Sequence, residues 1–477
     1  MADKKRVEKI RKKTITDNSS ARKGSIIPKH MSHTNRQDAN FFFGTRTRKL
    51  SPMDFMLEVE PSEMIYVGKP NYYDGHILIV GGAGSGKSSC IAIPTLDTWN
   101  GPIFAIDIKG ELTTYWNGLS NRKREAKVFN LTNEQEVFSS YDPFQFLRED
   151  SEDNLVQNAR EIAHAIIPLP VNTIDPFWIQ SARHVLTAVI LYGYMTEKSF
   201  NSTMTSILTT PIGALIEEIK KSGIMEAQIH INQFADIENP SDNKMLTGIS
   251  AELSNKIIVF VSNMRIKDTL TSSENTVSWD DLDSYNVFMK IAEDKLGQWD
   301  GAIAMILTQL IRYLERRPEK YDFNGRTKEP VLLLLDEFPR LGKIDIIQNA
   351  VATLRSKNVT VCMVVQSLSQ LDKIYGIETR QIIMDNCQYK AILNATGAEN
   401  QKIFSDMTGS VQVVQRGISM DSDNENKTYI MQFNETSEPM VKPHEFATLK
   451  DIVLMTPEGY CRVDKLPYYA KARQKFS

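Results

Sequence analysis

HILIVGGAGSGKSSC, residues 76–90, decides how the rest of the 477-residue chain is read. Ile77 to Val80 is a short, wholly apolar run, the pattern of a strand buried on both faces. Gly81, Gly86, Lys87 and Ser88 then fit the spacing GxxxxGK(S/T). Ile91 and Ile93 continue into an apolar helix expected to end near Pro94. A glycine-rich turn with a surface lysine shares the spacing, but the flanking strand and helix favour a P-loop. Its small residues let backbone N–H groups close around phosphate oxygens, and the helix N-terminus adds its positive dipole end. Gly81, Gly84, Ser85, Gly86, Lys87, Ser88 and Ser89 are therefore the expected nucleotide-binding residues. Lys87 is expected to reach the β- and γ-phosphates of ATP, and the Ser88 hydroxyl to ligate Mg²⁺.

Composition sets wide bounds. Hydrophobic content of 41% with 24% charged residues is that of a globular chain, and its length suits two to three domains. No run approaches the roughly 18 apolar residues of a membrane span; the nearest, Val185–Met195, reads as a core helix. The N-terminus lacks the apolar segment of a signal peptide. Cys90, Cys362, Cys387 and Cys461 stand apart in apolar contexts, as buried small hydrophobes do. Charge is uneven: residues 1–50 hold 14 Lys/Arg against 4 Asp/Glu, and the remainder 42 against 55. A basic arm on an acidic body suits nucleic acid or an anionic membrane surface, and equally a solvated tail.

Along the chain, residues 1–50 read as a disordered basic arm. The Phe41–Phe43 cluster in it suits base stacking, a membrane interface, or docking on the next domain. Residues 51–150 hold the P-loop strand, a second strand ending in Asp107-Ile108-Lys109-Gly110-Glu111, and a third at Lys127–Asn130. Strand ends face the ligand crevice of an open α/β sheet, which places Asp107, Lys109 and Glu111 near nucleotide or a subunit edge. Residues 151–275 carry helical periodicity without strand alternation and read as an inserted all-α domain. Residues 276–477 return to strands.

PVLLLLDEFP, residues 330–339, is the second anchor. Its apolar strand runs into Asp336 and Glu337, a Walker B pair in which Asp336 holds Mg²⁺ and Glu337 polarises the attacking water. Val359–Val365 is another buried strand, ending at Gln366, where a side chain can contact the γ-phosphate or its water. Arg355 and Lys357 precede it. A helix C-terminus explains both residues, and the sharper reading makes Arg355 a finger into a neighbouring subunit's site.

These stretches resemble the TraG/TraD-type coupling proteins of type IV secretion and conjugation. The first shared block runs from Gly84 through Pro94-Thr95-Leu96 and Trp99 to Leu112. The second is Leu335–Lys343, LDEFPRLGK. The third is Gln366–Gly376 with Asp385-Asn386-Cys387. The resemblance covers about residues 75–470 and is weakest through the helical stretch. It implies an α/β, RecA-like P-loop ATPase domain interrupted by an all-α domain, working as a homo-hexamer with ATP and Mg²⁺. Carried over by position, Lys87, Glu337, Gln366 and Arg355 are its catalytic side chains, and Ser88 and Asp336 its metal ligands. The implied partners are a relaxase on single-stranded or duplex DNA and the secretion channel. Family members begin with a membrane anchor that this sequence does not show. A separate anchor protein, or the arm itself, is therefore expected to recruit the chain to the cytoplasmic face of the membrane.

The implied function is a DNA-stimulated ATPase that drives a relaxase–DNA complex into a conjugation channel. An ATP-gated recruitment receptor without motor activity is the alternative. The Leu335–Lys343 block and the position of the helical insert argue against an FtsK- or HerA-like duplex translocase.

Overall fold

A computed structural model describes residues 27–32, 39–47, 62–69, 75–120, 122–131, 139–234, 243–320, 328–421 and 428–470. The strands, in chain order, begin with β1 (Ala39–Thr47), β2 (Ser62–Lys69), β3 (Ile77–Val80), β4 (Ile103–Asp107) and β5 (Ala126–Asn130). After a helical stretch come β6 (Asn286–Lys290), β7 (Val331–Leu335), β8 (Val359–Val365) and β9 (Tyr389–Ile392). β10 (Ser410–Asp421), β11 (Thr428–Pro439), β12 (Ile452–Thr456) and β13 (Gly459–Val463) complete the set.

One nine-stranded sheet organises the chain, in the order β13-β12-β9-β3-β8-β7-β4-β6-β5. The seven strands from β9 to β5 run parallel, and β12 and β13 close one edge as an antiparallel hairpin. The continuous apolar runs of β3, β7 and β8 have their physical reason here: each lies between neighbours in the sheet and is buried on both faces. Side chains alternate between two cores. Leu78, Val80, Leu333 and Leu335 face one, and Ile77, Ile79, Leu332 and Leu334 the other. Because β3, β7 and β8 are adjacent and parallel, their C-terminal ends open at the same edge of the sheet.

Every regular element described between Gln145 and Thr269 is a helix, and Phe177–Met195 and Lys244–Ser262 are the longest. Their buried residues join the sheet's first core, where the helices Leu155–Ile166, Phe177–Met195 and Asp300–Glu315 also contribute. By length and composition, Lys244–Ser262 is the one helix among the described residues that could cross a membrane. Its Leu246, Ile249, Leu253, Ile257 and Phe260 are buried at helical spacing, as on the inner stripe of a core helix. All four cysteines are buried.

Two expectations change. Of the three readings of Phe41–Phe43, docking on the next domain is the one that holds, and residues 39–47 are no part of a disordered arm: the cluster lies in β1, and all three rings are fully buried. Phe41 and Phe43 enter the second core, where Phe43 meets Tyr389 at 5.6 Å, and Phe42 sits 5.6 Å from Tyr66. Removing three aromatic rings from water outweighs ordering the strand, and no ring is left for a base or a membrane. Residues 1–26, 33–38 and 48–50 of the arm lie outside the described residues. The helix after the P-loop also does not stop near Pro94. A π-helical turn, Lys87–Ala92, passes into an α-helix, Ile93–Thr98, that holds Pro94 in its first turn. Proline is tolerated there because its missing N–H is one that a first turn leaves unpaired.

The packing of the helices Leu155–Ile166 and Phe177–Met195 carries a pH dependence. Burial pushes half-buried His164 down to about 4, and the nearby Arg183, Arg160 and His184 act in the same direction while Asp345 opposes them. The unfolded value is near 6.5, so the unfolded chain binds the extra proton between the two values. Stability is therefore fully present above pH 6.5 and falls as pH drops towards 4. Discounted for solvent screening at a partly exposed group, the expected loss is about 1–2 kcal/mol. Urea titrations at pH 7 and pH 4.5 should show it, and His164→Gln should remove most of this slope; an unchanged slope would assign it to other groups.

Candidate functional site

The P-loop is shaped by glycines at which a side chain would bring strain or a close contact. Gly84 and Gly86 have φ of 71° and 99°, and a β-carbon on Gly86 would lie 2.9 Å from Cys90 Sγ. A β-carbon on Gly81 would collide with the Ser85 hydroxyl, which is buried with no hydrogen-bond partner among the described residues. The loop is pinned where it leaves β3. Gly81 N–H donates to the Val365 carbonyl at 3.1 Å, and Gly82 N–H to Asn394 Oδ1 at 2.6 Å. Asn394, just past β9, is a loop-positioning residue that the sequence reading missed. Its signal was its place at the C-terminal end of the strand that turned out to neighbour β3.

Lys87 is folded back over its own loop. Its Nζ donates to the Gly81 carbonyl at 2.7 Å and the Gly82 carbonyl at 3.3 Å, and stands 3.9 Å from Glu337 Oε1. Burial lowers its pKa, and the charges of Glu337 and Asp336 partly restore it. Across the loop, burial and the neighbouring Glu337 push the Asp336 carboxyl up to about 6, with Lys87 opposing. Glu337 takes left-handed backbone angles, φ 47° and ψ 41°, an uncommon conformation for a residue with a side chain. Both its oxygens accept from Gln366 Nε2, at 3.0 and 2.9 Å.

The fold therefore brings Lys87, Asp336, Glu337 and Gln366 together from the ends of β3, β7 and β8. Gln366 stands on the strand beside Walker B, as expected from the sequence. The contact its amide makes is with the Glu337 carboxylate, a pairing that spacing alone could not reveal. Arg355 lies elsewhere. It precedes β8, so the length of that seven-residue strand, about 23 Å at 3.3 Å per residue, separates it from Gln366.

The Asp107 cluster divides. Asp107 is buried, and its Oδ2 accepts from Thr113 N–H at 2.7 Å and Thr113 Oγ1 at 2.6 Å, capping the Glu111–Gly118 helix. Asp107 thus takes the helix-start role, while its charge still reaches the site and helps to raise the Asp336 pKa. Lys109 is exposed and near enough for its charge to lower the Lys87 pKa.

The donors suit a nucleotide with a hard divalent cation. Ser88 and Asp336 offer only oxygen ligands, the set that Mg²⁺ takes alongside phosphates. The glycine cradle, the unpartnered Ser85 hydroxyl and Lys87 suit phosphate oxygens.

A parallel sheet with a P-loop after one strand and an acid pair two strands away defines a P-loop nucleotide-binding fold. Residues 9–477 match the family described as type IV secretory system conjugative DNA transfer, and the chain belongs to that family. Protein VirD4 of Agrobacterium fabrum is 24% identical over 409 residues, covering 83% of this chain and 59% of its own length. Conjugal transfer protein TraG of Escherichia coli is 22% identical over 404 residues, covering 78% and 61%. The chain thus spans about three-fifths of the length of these relatives. Among solved structures, the unbound monoclinic form of the bacterial conjugative coupling protein TrwB superposes with a TM-score of 0.64 at 17% identity, covering 92% of this chain and 96% of that one. The plasmid coupling protein TrwB in complex with ADP and Mg²⁺ gives 0.64 and 17%, covering 93% and 98%. These likenesses establish a shared fold.

Proposed function

We propose that the chain is an ATP hydrolase that couples a relaxase–DNA complex to a type IV secretion channel and drives its transfer. The observation that carries this reading is the contact set at one sheet edge, with Lys87 3.9 Å from Glu337 and Gln366 2.9 Å from it. A complete set of catalytic side chains in contact suits turnover better than ATP-gated assembly alone.

In this reading Gly81, Gly84, Ser85, Gly86 and Ser89 cradle the phosphates, and Lys87 leaves its carbonyl partners for the β- and γ-phosphates. Mg²⁺, held by Ser88 and Asp336, would neutralise phosphate charge. Glu337 accepts a proton from the attacking water, and Gln366 orients the Glu337 carboxylate. Arg355 serves the site of a neighbouring copy in a homo-hexamer. Residues 51–150 and 276–477 form the nucleotide-binding domain, and the helical residues 151–275 a cargo-facing domain, a division supported by the all-helical character of Gln145–Thr269. The basic residues ahead of β1 meet DNA phosphates or the cytoplasmic face of the membrane. The family name supports conjugative DNA as the cargo.

The test is ATP hydrolysis by the purified chain with and without single-stranded DNA, alongside its mass in solution. DNA-stimulated turnover in a large ring, abolished by Lys87→Ala while relaxase binding persists, is the expected result. Tight ATP binding without turnover under any DNA condition would identify a recruitment receptor instead.

A further inference from the structure

The P-loop residues account for the phosphates of a nucleotide and leave its base without a site. A second element lies against the P-loop helix, and Pro94 is the reason it can. The turn Lys87–Ala92 is in π register, with the Ile93 N–H donating to the Ser88 carbonyl. The next bond in that register would run from residue 94 to the Ser89 carbonyl, and proline has no N–H to give. The Ser89 carbonyl accepts instead from the Tyr468 N–H, at 2.9 Å.

That bond fixes a small aromatic structure beside the loop. Tyr468 and Tyr469 are the central residues of a tight turn closed by the Ala470 N–H donating to the Pro467 carbonyl at 2.9 Å. The Tyr468 ring stands edge-on to Tyr115 (5.2 Å, 74°) and to Tyr469 (5.2 Å, 79°). Tyr115 is itself held by its hydroxyl, which donates to the Asp97 carboxylate at 2.8 Å. Tyr469 is 69% exposed and Tyr468 37%. The result is an open aromatic ring, braced from behind and tethered to the second residue after the P-loop lysine.

We propose that Tyr469, braced by Tyr468, is the platform on which the purine base of the bound nucleotide stacks. Resting on the nucleotide reading of the P-loop, this adds a base site to it. Ser89 belongs to the first turn of the helix whose N-terminus faces the phosphates. In this proposal the base extends outward from that end of the nucleotide, towards the segment that the Tyr468 N–H ties to Ser89. An aromatic ring recognises the π-face that every base presents and reads no hydrogen-bonding edge. ATP and GTP are therefore expected to bind with similar affinity.

Binding of ATP, GTP and inorganic tripolyphosphate, each with Mg²⁺, to the full chain tests the assignment. Tyr469→Ala should weaken ATP and GTP by about tenfold and leave tripolyphosphate unchanged, while Tyr469→Phe should bind as the wild type does. Tyr468→Ala should give the same pattern as Tyr469→Ala by removing the brace. ATP affinity unchanged in both alanine variants would overturn the proposal, as would an equal loss for ATP and tripolyphosphate. A wild-type chain that binds neither ligand would overturn the nucleotide reading itself.

Discussion

Arg355→Ala should lower ATP turnover of the assembled protein by about 10³–10⁵-fold, the usual contribution of an arginine supplied across an interface, with nucleotide binding intact. The geometry makes this prediction specific. Arg355 and Gln366 bracket β8, so the strand's full length keeps the guanidinium away from its own chain's P-loop. A catalytic role for Arg355 therefore has to be played in a second copy. Mixing supplies the decisive measurement. An Arg355→Ala chain retains an intact P-loop, and a Lys87→Ala chain retains an intact arginine, so assemblies of the two should recover activity that neither has alone. Failure of the mixture to recover any rate, with mixed assembly verified by mass, would reduce Arg355 to a charge at a helix end.

Glu337→Gln should bind ATP as well as the wild type and turn it over about 10²–10⁴-fold more slowly, the range for losing a positioned general base. The substitution keeps size and shape and removes only the capacity to take a proton. The backbone invests in this position: φ of 47° for a residue with a side chain is sustained while the carboxylate is held by Gln366 and faced by Lys87. Single-turnover hydrolysis with equilibrium ATP binding separates the outcomes. A matched loss of binding and rate would make Glu337 a ligand-binding residue, and an unchanged rate would move the base elsewhere.

Elements that are buried through their own composition were legible in the sequence. Val359–Val365 forms as read, and Val185–Met195 lies as expected in a core helix, Phe177–Met195, because an unbroken apolar run encodes burial locally. The four residues that meet at the site were legible through motifs. What could not be read depends on partners distant in the chain. β12 and β13 are short, and only pairing with β9 makes them an edge of the main sheet. Phe41–Phe43 looks like a cluster in a basic arm until Tyr389 and the residues around Asp464 supply its pocket. Asp107 stands at a strand end as a ligand would, and only Thr113's conformation shows it to be a cap. The Gln366–Glu337 contact depends on a positive φ that no residue type announced.

The two-way bond between Thr45 and Asp464, at 3.0 and 2.7 Å, has a consequence for how the protein is made. The partners are 419 positions apart. At about 5–20 residues per second, a ribosome needs roughly 20–80 s to make the chain between them. For that interval the nascent strand holding three phenylalanines lacks the last wall of its pocket. Synthesis in the cell therefore carries a timed exposure of sticky surface near the start of the chain.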